Sequence, residues 1–237
     1  MNVAALWHDL ECGGYGDDLP SWQSLAGETG GPVLDIGAGT GRVTLDLAAA
    51  GLAVVALDTE AALLAALEHR AGGLDVTTVV ADARSFELER RFALIVVPMQ
   101  TLQLLGGRDG RGAFLRCALR HLKPGGVVAA ALADAMDCFD DEHPEPPPPD
   151  ARDIARVRYA SQLVAVLDDG GRAALHRRRE IIGPTPHAEH VVIHLDRVSP
   201  EEVEAEAAST GFLVEPRRFV PESEQYLGST IVVLRKP

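Results

Sequence analysis

Cysteine is scarce in this chain, and its basic charge is outnumbered. The three cysteines, Cys12, Cys117 and Cys138, stand far apart, odd in number and without a CxxC pair. That excludes a disulfide framework and a structural zinc knuckle, and it fits a reducing, cytoplasmic setting. Lys and Arg number 22 against 35 Asp and Glu, a formal charge of −13. Such a field repels a nucleic-acid backbone unless a local basic patch outweighs it. The only tight basic run is Arg177-Arg178-Arg179. On a strand it would put two guanidinium groups on one face and one on the other, which reads as a solvated sheet face. No apolar run approaches the roughly 20 residues that span a bilayer, and the start, MNVAALWHDLE, lacks a basic segment followed by an apolar one. The chain is therefore expected to be soluble, with neither nucleic acid nor membrane as a partner. It shows no internal repeat.

What is present is alternation. With 237 residues, 46% of them hydrophobic, the chain can bury a core of one domain plus an elaboration. From Val33 to about Asp134, short apolar runs (PVLDI, AVVALD, VTTVVAD, FALIVVP, VVAAALAD) are separated by helical patterns such as RVTLDLAAAG and EAALLAALEHRAGG. Strands spaced by helices of that length pair in parallel through right-handed crossovers, which predicts a mostly parallel, doubly wound, Rossmann-like α/β sheet. Residues 1–32 read as an N-terminal helical cap and 33–136 as the α/β core. Residues 137–150, rich in proline and acid, exclude helix and central strand and read as a linker or flap. Residues 151–197 read as an inserted antiparallel meander of three strands. Two of them flank the turn Asp169-Gly170-Gly171, and EHVVIHLDRV forms the third. Residues 198–237 supply a helix opened by Ser199-Pro200-Glu201 and two closing strands.

The stretch VLDIGAGTGRV carries glycines at 37, 39 and 41 directly after an apolar strand that ends in Asp35-Ile36. In open α/β sheets ligands sit at the carboxyl ends of the strands, so this first turn is where a cofactor belongs. A dinucleotide fingerprint would need its third glycine where Arg42 stands, so a nicotinamide-dependent oxidoreductase is disfavoured. Glycines at every second position, preceded by an acid, resemble instead the first motif of class I S-adenosylmethionine-dependent methyltransferases of the small-molecule type. Asp58 ends the second strand, 21 positions after Gly37, and Asp82 follows the third strand. The resemblance implies that Asp58, with Thr59 beside it, receives the ribose hydroxyls, and that Asp82 and Ala83 meet the adenine. Asp35, Gly37, Ala38, Gly39 and Gly41 would line the rest of the cofactor crevice. Asp58 and Asp82 could equally be helix caps or turn residues. HLKPGG matches the turn such enzymes carry before the fifth strand. The segment around Tyr15 and Trp22 resembles their N-terminal cap, in which a tyrosine covers the methionine end. Both residues are either that cover and a pocket wall or plain anchors of the cap.

The fourth strand departs from the family pattern. Ala93, Gln100 and Leu104 occupy places that often hold Asp, Asn and His, so no general base carries over. Pro98, Met99 and Gln103 are expected beside adenine and the methyl group, with Gln100 at the substrate. The missing base is tolerable because alignment of a reaction is worth roughly 7–11 kcal/mol, against the 10²–10⁴-fold of a positioned base. A neutral amine, or a phenol or thiol of low pKa, needs none. Weak candidates for a base are His190 and His194, expected to face a cavity between meander and sheet, His143 in the flap, and Tyr15 in the cap. His190 and His194 lie roughly 13 Å apart on a strand, too far to share a metal ion. The sequence thus predicts methyl transfer to N or O of a small-molecule metabolite, with N ahead. A binding protein without turnover is the alternative, and the meander offers a surface for a homodimer.

Overall fold

The computed structural model describes residues 2–133, 138, 146–222 and 228–237. Two helices, α1 (Val3–Glu11) and α2 (Leu19–Thr29), precede the sheet. Then β1 (Val33–Ile36), α3 (Arg42–Ala49), β2 (Val54–Asp58), α4 (Ala61–Ala71), β3 (Val76–Val80), β4 (Phe92–Val97), α5 (Gly107–His121) and β5 (Leu122–Leu132) follow. β1 and β4 are buried along their whole length, as the apolar runs require of strands covered on both faces. A short 3₁₀ turn, Thr101–Leu104, leaves β4.

The main sheet has seven strands in the order β10-β11-β5-β4-β1-β2-β3. β1 pairs in parallel with both β2 and β4, so the chain winds outward in one direction from β1 to β3 and in the other from β4 to β5. That reversal is the switch point at which a crevice opens. β10 (Leu213–Val220) and β11 (Ser229–Arg235) close the far side as antiparallel strands. Pro216 falls in the register shift between Glu215 and Arg218, on an edge strand where its missing N–H is harmless. α6 (Pro200–Thr210) starts with a capping box in which Ser199 and Glu202 satisfy each other's backbone amides.

The insertion is a second sheet, β6-β7-β8-β9, with one strand more than the three expected. The addition is β6 (Asp150–Ile154), and it takes Asp150 from the segment read as linker. The others are β7 (Val157–Asp168), β8 (Arg172–Ile182) and β9 (His187–Asp196). His143 lies outside the described residues. Within them, no helix is long and apolar enough to cross a membrane.

Gly41 caps α3 in the left-handed region at φ 95°, and a Cβ there would overlap the Leu67 side chain of α4. The Leu67 side chain of α4 packs over that bare position. Gly41→Ala should therefore cost about 1–3 kcal/mol through backbone strain and overpacking. Denaturant unfolding checks this, and an unchanged midpoint would contradict it.

Candidate cofactor and active site

The turn after β1 is built from backbone and fenced by neighbours. Gly37 and Ala38 both donate to the Leu57 carbonyl, which ties the turn to β2. A Cβ on Gly37 would stand 2.6 Å from Cγ2 of Thr101 in the turn after β4, and one on Gly39 would overlap the imidazole of His8 in α1. The glycines are thus required by the protein's own packing as well as by their positive φ.

Asp58 sits at the end of β2, half-buried, and its Oδ2 accepts from the Gly39 amide at 2.8 Å. Its Oδ1 accepts from the Glu60 amide at 2.9 Å, around exposed Thr59. Each oxygen keeps a lone pair for another donor. Asp82 is differently placed. Its carboxylate accepts from the backbone amide and the guanidinium of Arg84, at 2.8–3.0 Å from Arg84 N and Nε, so an adenine amino group would meet an acid already engaged. Ala83 beside it is buried.

Asp35 is fully inside the fold. Its Oδ2 accepts the Thr44 hydroxyl at 2.6 Å, while Oδ1 is buried without a hydrogen-bond partner. Burial pushes this carboxyl up to about 7, against the pull of the Thr44 hydrogen bond and of Arg42. Such an acceptor fits a group that brings a positive charge or a proton.

Arg42, the residue that breaks the dinucleotide pattern, holds the N-terminal cap. It grips buried Asp18 with two N–H groups, at 2.5 and 2.9 Å, and donates to the Tyr15 carbonyl at 3.0 Å. Its guanidinium lies 5.0 Å from the Tyr15 ring centroid. Trp22 donates to the same Asp18 at 2.8 Å and is wholly buried, so it anchors the cap within the core instead of walling a pocket. Tyr15 is buried in the same apolar cluster, against which Met99 packs.

At the mouth of β4, Pro98 is buried and Met99 adopts φ 53°, in the left-handed region that a side chain occupies only when its surroundings force it. Gln100 is half-buried beside it. Gln103, expected near adenine, is buried elsewhere. Its amide bonds both the N–H and the carbonyl of Ala133, and the carbonyl of Asp196, at 3.1–3.2 Å, tying this turn to β5 and β9.

The histidines of β9 reverse the expectation. Residues alternate across a strand, and here Val191, Ile193 and Leu195 turn inward while His190 and His194 stand exposed on the outer face. His190 meets His176 there at 3.2 Å, and His194 meets Asp169 at 3.0 Å. Desolvation decides the phase, since three aliphatic side chains gain more from burial than two imidazoles. Neither histidine reaches the crevice. Among the described residues no cluster of three or more His, Cys, Asp or Glu is placed to hold a metal.

The inner face of that sheet carries residues that sequence reasoning passed over. Arg177 and Arg179, read as solvated, point inward, and only Arg178 is exposed. Glu11 of α1 accepts from Arg179 Nε at 2.6 Å, Arg179 Nη2 at 2.9 Å and the buried Ser161 hydroxyl at 2.7 Å. Arg177 adds Ser161 at 3.0 Å and Asp150 at 2.7 Å. Trp7 stacks edge-on against Tyr159, 5.8 Å between centroids, under Arg179. Burial works to raise Glu11, but its arginine and serine bonds prevail and hold it below its usual value. The available signal was an acid late in α1 together with two same-face arginines.

Residues 33–126 match the family described as methyltransferase domain. A relative, the cypemycin N-terminal methyltransferase of a Streptomyces species, is 33% identical over 162 residues, which are 67% of this chain and 62% of that protein. Two solved structures align along this whole chain. The amino pentose methyltransferase CalS10 of Micromonospora echinaspora, solved with S-adenosylmethionine bound, has a TM-score of 0.74, 18% identity and 98% of its chain covered. The sugar N-methyltransferase KedS8 of a Streptoalloteichus species has a TM-score of 0.77, 15% identity and 94% of its chain covered.

Residues 33–126 form a domain of that methyltransferase family, and the chain has the fold of class I S-adenosylmethionine-dependent methyltransferases. That family's cofactor fits the residues present. Asp58 keeps lone pairs at the end of the second strand, and Asp35 offers an unpartnered buried oxygen.

The raised Asp35 value has a thermodynamic consequence. Folding lifts this carboxyl above its unfolded value near 3.8, so the fold loses stability as pH rises from about 4 towards about 7. Asp35→Asn keeps an acceptor for Thr44 and cannot ionise. Relative to the parent chain it should gain on the order of 2–3 kcal/mol between about pH 5 and pH 8.5. Thermal unfolding at the two pH values checks it, and a difference that does not change with pH would refute it.

Proposed function

We propose that this methyltransferase transfers the methyl group of S-adenosylmethionine to an amine nitrogen of a small molecule. The observation that carries the reading is the mouth of β4, where Pro98, Met99, Gln100 and Thr101 present no titratable side chain. Bound in the crevice, S-adenosylmethionine supplies a methyl group on a positively charged sulfur. The chain's own residues then align the acceptor and exclude water, the larger part of the barrier that such a reaction needs removed. An amine that arrives neutral brings its own lone pair, whereas an aliphatic alcohol needs a base, and the mouth of β4 offers none among the described residues. The chain's charge of −13 favours the approach of a cationic amine, which sheds its proton before reacting. Similar proteins named as an N-terminal methyltransferase, an amino pentose methyltransferase and a sugar N-methyltransferase support the choice of nitrogen. The homodimer and the cytoplasmic setting belong to the same proposal. The outer face of the four-stranded sheet exposes Leu167, Ile182 and Val192 as a surface for a second copy.

In this reading Tyr15, Asp35, Gly37 and Asp58 contact the cofactor, and Met99 and Gln100 face the acceptor. A panel of primary amines, phenols and alcohols should yield S-adenosylhomocysteine fastest with amines, at rates that rise with pH until the amine is deprotonated. Faster turnover of phenols or alcohols would overturn the choice of nitrogen, and no turnover with any class would favour a binding protein. Asp58→Ala should weaken S-adenosylhomocysteine binding by roughly 1.5–3 kcal/mol through lost charged hydrogen bonds. Calorimetry checks it, and unchanged affinity in a folded variant would remove the ribose from this position.

A further inference from the structure

The imidazole of His8 covers the bare face of Gly39. Two bonds define its state. Thr40 Oγ1 donates its single proton to Asp9 Oδ1 at 2.7 Å, so towards His8 Nδ1, 3.2 Å away, it can only accept. The proton of the neutral ring therefore sits on Nδ1, and Nε2 carries a lone pair. Asp9 is fixed in turn by Arg70 of α4, through Nη1 at 2.9 Å and Nη2 at 2.5 Å. A relay of Arg70, Asp9 and Thr40 thus orients the ring from behind, as supporting partners orient a histidine that binds or reacts.

Nε2, the atom of the ring nearest the Cβ that Gly39 lacks, lies against the residue whose amide donates to Asp58. Two acceptors, one neutral and one charged, therefore flank a single glycine. A vicinal diol presents two hydroxyl donors to such a pair. We propose that His8 is a second ribose-binding residue, with Nε2 accepting one cofactor hydroxyl while Asp58 takes the other, so that α1 closes over the cofactor through this bond. The proposal rests on the placement of the ribose at Asp58.

Protonation would destroy the arrangement. A proton on Nε2 removes the acceptor. Burial holds the imidazole below its ordinary value of 6.5. Asp58 on β2 and Asp9 and Glu11 on α1 pull it upward, and Arg42 on α3 pushes it down. Arg70 on α4 acts through Asp9. Cofactor affinity should accordingly be full at neutral pH and fall as the solution becomes acidic.

Calorimetric titration of the full chain with S-adenosylhomocysteine and its 2′-deoxy and 3′-deoxy forms tests this. His8→Phe keeps a ring over Gly39 and removes the lone pair. It should weaken binding of the parent ligand about three- to tenfold at about pH 8, the range of one hydrogen bond. The same variant should discriminate less than the parent chain against one of the two deoxy ligands. The parent chain should lose affinity between about pH 8 and pH 5.5 more steeply than His8→Phe, a comparison in which the titration of Asp35 cancels. His8→Gln, which restores an acceptor that does not titrate, should recover affinity without the pH dependence. Should Asp58→Ala weaken binding while His8→Phe does not, His8 has no such role and the ribose placement stands. If Asp58→Ala also binds normally, the placement itself fails. Equal discrimination by parent and His8→Phe against both deoxy ligands would overturn the proposal even if affinity fell.

Discussion

The turn after β1 lacks side chains at Gly37, Gly39 and Gly41, and three separate elements have moved into the space this leaves. Thr101, from the turn after β4, takes the place beside Gly37, His8 of α1 covers Gly39, and Leu67 of α4 fills the space beside Gly41. The positions of α1, α4 and the mouth of β4 relative to β1 are therefore set by one stretch of naked backbone. An open crevice and a tight core make the same demand here, for absent Cβ atoms. A glycine pattern of this kind consequently reports two constraints at once, and the neighbours reveal which glycine serves which.

Helix α1 is held from two sides by charge in its last turn. At one side Asp9 joins Arg70 and Thr40 of the α/β core, and at the other Glu11 joins Arg177, Arg179 and Ser161 of the second sheet. Partly buried ion pairs of this type add little net stability, because desolvation offsets attraction, but removal of one partner strands the other and is costly. They act as registers. An apolar contact would let α1 slide, whereas two bidentate arginine grips fix both its position and its rotation. That rotation aims His8 at the glycine turn and Trp7 at Tyr159. A chain with net charge −13 has surplus acid for the purpose and needs only a few arginines placed inward.

The layered fold was readable because burial on both faces forces strands such as FALIVVP into unbroken apolar runs, and because crossover helices carry their own period. The end of β2 could be located for the same reason, and with it Asp58. What escaped was the phase of strands whose two faces are both chemically plausible. HAEHVVIHL alternates histidine with aliphatics, and periodicity gives the two sets without saying which one faces in. The arginine run failed in the opposite sense, since its inward pair is tolerable only with Glu11 across the interface, some 166–168 positions away in sequence. β6, with the sequence DARDI, has no apolar alternation at all and exists by pairing with β7 at a sheet edge. His8 and Gly39 meet by tertiary packing alone, and no local pattern announces such a contact.

Asp35 bears on what the crevice is for. As a purely structural residue it is poorly chosen, since asparagine would keep the bond to Thr44 without a charge to desolvate. Burial with one oxygen unpartnered brings its proton affinity close to neutrality, where it can ionise if a positive charge comes near. In the proposed reading the cofactor that Asp35 contacts brings such a charge, and its arrival would offset a cost that the free protein carries alone. A structural turn has no use for such a group. A site that must admit a zwitterionic, positively charged sulfonium compound, and release a product lacking the sulfonium charge, does.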